Sequence, residues 1–142
     1  MNRVSLRGVV LGALVDFAMT NILAVPLVLY AILHFQLQHL PPADAQMAVA
    51  SAIHGSVALT LIEIAIGLGS AAAGGYVAAR LARHDETLNG ALASWLCVGI
   101  SLYTLFSGQA SHTPKLQWLL IVAIPLCALL GGALCRRQRA HS

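Results

Sequence analysis

The sequence predicts an all-α fold, an integral membrane four-helix bundle, and three observations carry that prediction. Of its 142 residues, 58% are hydrophobic and 9% charged, against roughly a quarter charged in an ordinary soluble domain. The apolar residues gather into four runs, each long enough to cross a hydrocarbon layer of roughly 30 Å at about 1.5 Å per helical residue. Basic residues collect at alternate ends of those runs. Inside a bilayer each run must be helical, because no water is present there to satisfy open backbone groups. Residues 1–142 read as a single transmembrane domain with a short basic tail at 135–142.

The first helix is expected over about 9–33, with Asp16, Asn21 and Pro26 inside it. The triplet Ala43-Asp44-Ala45 imitates a cleavage site, but the apolar stretch exceeds the roughly 7–15 residues of a signal core, so the helix is retained. Pro41-Pro42 interrupts the chain, and Asp44 then suits the positive end of a helix. The second helix is expected over about 54–79, in an apolar run that starts at Val49. That run would be about 46 Å long as one helix, so part of it must tilt or project. Arg80 and Arg83 suit its C-terminus, and Asp85 and Glu86 suit the next N-terminus, which makes a tight hairpin. The third helix covers about 88–107. Thr113-Pro114 reads as an N-cap and first helical residue, opening a fourth helix at about 116–134. Pro26 and Pro125 each remove a backbone donor from a helix interior, leaving the carbonyls of Ile22 and Ile121 open and predicting kinks.

Orientation follows from the basic residues. Arg3, Arg7, Arg80, Arg83, Arg136, Arg137 and Arg139 fall on one side of the bilayer, and Lys115 alone on the other. The positive-inside rule then places both termini, and the loop between helices two and three, in the cytoplasm. The net charge of +3 is accounted for by topology, leaving no basic face for nucleic acid. At most the C-terminal arginines touch anionic lipid.

Spacing sorts the helix faces. Ser56, Thr60, Glu63, Gly67, Ser70 and Gly74 recur at steps of three and four on helix two. Gly90, Ser94, Cys97, Ser101, Thr104 and Gly108 do so on helix three, and Gly8, Gly12, Asp16, Thr20 and Ala24 on helix one. Small residues in such rows let backbones approach. Gly8, Gly12, Gly67, Ser70, Gly74 and Gly90 are therefore the expected packing positions, although the same rows suit a narrow water or solute path. Four polar residues within the spans are the functional candidates: Asp16, Glu63, Asn21 and Ser94. Asp16 lies about 10 Å, and Glu63 about 24 Å, from the cytoplasmic edge, too far apart for a carboxylate pair. Ser94 comes to the depth of Asp16, so its hydroxyl is the expected donor to that acid.

Other chemistries find little support. His34, His39, His54 and His112 fall in the outer half but show no i, i+4 pair and no HExxH, so neither a metal site nor a haem is expected. Cys97, Cys127 and Cys135 form no CxxC, which argues against a thiol oxidoreductase. The loops are short and carry no nucleophile beside a base, so no enzyme and no cofactor is expected. Tyr30 and Trp118 fit an outer aromatic belt, and Tyr76 an inner one.

The segment Gly74-Gly75-Tyr76-Val77-Ala78-Ala79-Arg80, followed by Gly90-Ala91, resembles uncharacterised small bacterial four-helix inner-membrane proteins with a Gly-Gly-Tyr-x-Ala-x-Arg-like segment closing the second helix. That resemblance implies the bacterial inner membrane and carries over no activity. The expected role is a non-enzymatic accessory or structural subunit, whose partners are the lipid bilayer and either itself or another membrane protein. The alternative is a small proton-coupled transporter or ion pathway using Asp16, with Glu63 as a second candidate acid.

Overall fold

In the computed structural model, residues 4–82, 85–107 and 114–140 are described. Among them all regular structure is helical: α1 (Leu6–His34), a 3-10 turn (Leu37–His39), α2 (Pro42–Gly55), α3 (Val57–Ala82), α4 (Glu86–Ala93), α5 (Trp95–Phe106) and α6 (Pro114–Ala140). Three helices are long and apolar enough to cross a membrane, within Leu6–His34, Val57–Ala82 and Lys115–Gln138.

The boundaries have local causes. Ser5 caps α1 by accepting from the Gly8 amide at 3.2 Å, and its own amide donates to Asn89 Oδ1 at 2.8 Å. Beyond α1, Gln36 takes a left-handed conformation (φ 55°), which turns the chain into the 3-10 turn, and Pro42 opens α2 with Asp44 in its first turn.

Two helices expected to be continuous are broken. Ser56 is extended (φ −108°, ψ 116°), so the apolar run from Val49 divides into α2 and α3. The run's excess length, expected to tilt or project, is taken up by α2, which is set off from α3 at Ser56. Val49 and Ile53 of α2 then pack with Leu27, Ala31 and Leu59 in an apolar cluster. The third apolar segment breaks at Ser94, whose amide and hydroxyl both turn back to the Ala91 carbonyl, at 3.3 and 2.8 Å. This is the back-bonding by which serine bends helices. The fourth helix runs past its expected end at 134, so the basic tail is helical as far as Ala140. Pro114 begins α6 as expected, while Thr113 lies outside the described residues.

Helix α3 occupies the centre, packed on α1 along one side and α6 along the other, and α4 fills the angle between them. Glycine makes this possible. A Cβ on Gly12 would stand 2.6 Å from the Gly74 carbonyl, and one on Gly8 would stand 2.9 Å from that of Ala78. Gly75 and Gly131 serve the α3–α6 contact, where added Cβ atoms would collide with the Ala128 and Ala72 carbonyls. Gly90 brings α4 against Ala128 and Gly132, its Cβ position lying 3.1 Å from each. Past Ser94 the packing loosens: α5 touches α6 and the edges of α1 and α4, and among the described residues it does not reach α3.

The start of α1, the end of α3, the start of α4 and the end of α6 share one end of the molecule. Ser5 meets Asn89 there, and the Tyr76 hydroxyl donates to Gln138 Oε1 at 2.7 Å while accepting from Arg80 at 3.2 Å. Asn89 is fully buried and also donates to the Asp85 carbonyl at 3.1 Å. Asn89→Ala strips the Ser5 amide of its acceptor, and the loss of such a cap costs about 1 kcal/mol. A lower midpoint of thermal unfolding in detergent is the expected result, with no change in helical content at 20 °C.

Candidate functional site

The close approach of α1 and α3 decides what surrounds Asp16. One turn beyond Gly12, Asp16 faces Gly74, where an added Cβ would stand 2.8 Å from the Asp16 Cβ. Its side chain is 2% exposed. Acids buried at such depth require donors or water, and two donors are present. The Cys97 thiol donates to Asp16 Oδ2 at 3.1 Å, and the Thr20 hydroxyl, one turn along α1, bonds to the same carboxylate.

Asp16 also forms part of the wall of a cavity of about 270 Å³, bounded by α1, α3, α5 and α6. The polar lining is Asp16, Thr20, Asn21, Cys97 and Ser101, and Gly67 of α3 forms part of the wall. The remainder is apolar, from Phe17, Ile100 and Ile124. The cavity lies where α5 has parted from α3, so the bend at Ser94 creates it. Outside this lining, buried Gln117 of α6 donates to the Ser101 carbonyl at 3.4 Å.

The expected site residues distribute unevenly. Asp16 and Asn21 share the cavity, and Asn21 secures its orientation by donating to the Phe17 carbonyl at 2.7 Å. Ser94 is buried but does not serve Asp16, since its hydroxyl is committed to Ala91; Cys97 takes that place. Counting depth along an unbroken helix selected the wrong member of the right row. Gly67 is corrected likewise. It has open space where a Cβ would stand, and it faces the cavity where close packing was expected. Ser70 and Gly74 are both buried in α3.

Glu63 lies apart from this site, with its Oε2 3.2 Å from His54 Nε2. The two residues are nine positions apart, about 13.5 Å along an unbroken helix; the extended Ser56 brings them together. His34 is stacked on Tyr30 with ring centroids 5.2 Å apart, and His112 lies outside the described residues. No group of three metal-ligating side chains occurs among the described residues. The chain matches no protein-family model, no curated protein and no solved structure.

Proposed function

We propose that the chain is a non-enzymatic multi-pass protein of the bacterial inner membrane that acts as an accessory or structural subunit. It crosses four times, α4 and α5 together forming the third crossing, with both termini in the cytoplasm. The α4–α5 segment, from residue 86 to 106, follows a path of about 31 Å, comparable with the thickness of the hydrocarbon layer. The exposed Arg7, Arg80, Arg136 and Arg137 gather at the shared end, and by the positive-inside rule this supports reading that end as cytoplasmic.

The observation that carries the accessory reading is the unequal packing of the two ends. Near the basic end the helices meet backbone to backbone; beyond Ser94, α5 stands clear of α3 and leaves one flank open. Small residues and hydroxyls are what helix–helix contacts in lipid use, and Thr20, Gly67 and Ser101 lie beside that opening. A helix of a second membrane protein, or of a second copy, completes it. Purification in mild detergent with mass measurement tests this: a discrete co-purifying membrane protein or a defined oligomer supports it, and a lone monomer rejects it.

A second reading is favoured by the buried carboxylate at the cavity wall. Asp16 there has the surroundings of a residue in a proton or ion pathway, and Glu63 beside His54 supplies a further acid toward the other end.

The topology has its own test. A reporter active only in the cytoplasm is expected to work when fused after Arg83 or Ser142 and to fail after Leu40 or His112. Activity at all four positions means that the chain inserts in both directions, contrary to the seven-to-one bias in its basic residues.

A further inference from the structure

We propose that the Asp16 cavity is a binding site for a partly hydrated alkali-metal cation, held by the Asp16 carboxylate with oxygen ligands from Thr20, Asn21 and Ser101. The proposal rests on the ion-pathway reading of Asp16 for where the ion goes, while occupancy of the site is tested separately from flux.

Charge selects the class of ligand. Among the described residues lining the cavity, Asp16 carries the one formal charge, and no Lys, Arg or His is present to neutralise it. A carboxylate in the bilayer interior is neutralised by a proton or by a cation that enters beside it. A carboxylate has about four acceptor positions, and Cys97 and Thr20 supply two donors, so acceptor capacity remains toward the cavity. Asn21 adds another oxygen. Its amide nitrogen is directed to the Phe17 carbonyl, which turns its oxygen to the acceptor role.

The ligand set then sorts the ions. Calcium takes roughly six to eight oxygen ligands, usually with several carboxylates, and magnesium demands near-ideal octahedral oxygen geometry; a single carboxylate among neutral oxygens matches one positive charge. Soft transition metals prefer thiolate and imidazole, whereas Cys97 holds its proton on the bond to Asp16 and no histidine lines the site. Size agrees with partial hydration. At about 30 Å³ per water, 270 Å³ accommodates an ion with several waters.

The test uses the purified full chain in mild detergent, with sodium chloride compared against choline chloride at equal ionic strength. Sodium is expected to raise the unfolding midpoint saturably, and Asp16→Asn to abolish the rise. Thr20→Val, which preserves shape, is expected to raise the half-saturating sodium concentration about tenfold. Because protons compete for the same carboxylate, that concentration is expected to rise as pH falls. A second readout does not depend on stability: equilibrium dialysis against radioactive sodium is expected to show saturable binding by the full chain that Asp16→Asn removes. Equal effects of choline and sodium, or a sodium effect undiminished in Asp16→Asn, overturn the proposal. So does the absence of saturable sodium binding by the wild type. Sodium binding without any flux in vesicles upholds the site and removes the transport reading alone.

Discussion

Gly75→Leu is expected to prevent α3 and α6 from closing and to cost about 3 kcal/mol or more, the upper range for overpacked sites. A Cβ at residue 75 meets the Ala128 carbonyl oxygen, carbon and Cα, all backbone atoms with no rotamer to yield. Gly131 makes the reciprocal contact on Ala72, so any separation that relieves one releases both. Gly74→Leu is the parallel case on the other seam, where the obstacles are the Gly12 carbonyl at 2.6 Å and Asp16. Two controls define specificity. Gly67→Leu enters open space beside the cavity, and Leu61→Ala alters a side chain that is 61% exposed; each is expected to unfold near the wild-type midpoint in detergent. Equal tolerance at Gly75 and Gly67 means that the seams do not hold the protein together.

This contrast marks how far the sequence could be read. Composition and run length suffice for the helices, because a bilayer leaves an apolar run no alternative to helix. The i, i+4 rows found side chains that meet: Asp16 and Thr20 of one row and Cys97 and Ser101 of another line the same cavity, whereas Gly12 packs on Gly74 and Ser94 turns back to Ala91. Register between faces was not legible. It depends on where a helix bends, and the bends fall at Ser56, which is extended, and at Ser94, which turns back to Ala91, inside apolar runs that read as continuous. A bend of this kind replaced Ser94 by Cys97 at the acid and freed Gly67 from the seam. The same effect hid the His54–Glu63 contact, which a continuous helix forbids. The Gly-Gly-Tyr segment acquires a physical account: Gly74 serves α1, Gly75 serves α6, and Tyr76 reaches Gln138.

Any proton movement that the wild type supports across vesicles is expected to disappear in Asp16→Asn while the protein stays folded. Asparagine has nearly the shape of aspartate and retains a carbonyl oxygen to accept from the Cys97 thiol or the Thr20 hydroxyl, so the seam at Gly12 and Gly74 stays intact. The change in stability is expected to stay within about 1 kcal/mol, the scale of one hydrogen bond. What asparagine cannot do is bind and release a proton. Asp16→Leu tests the structural share of the residue, because it leaves both donors without their acceptor in a buried site, a loss of about 1–3 kcal/mol for each unsatisfied group. Vesicles with an imposed pH gradient and an internal pH dye report the flux, and unfolding in detergent reports the fold. Flux that persists undiminished in Asp16→Asn removes Asp16 from any pathway and leaves the accessory role standing. Selective loss of flux in a variant that melts with the wild type makes the carboxylate the working group, and the ion-pathway reading then displaces the accessory one.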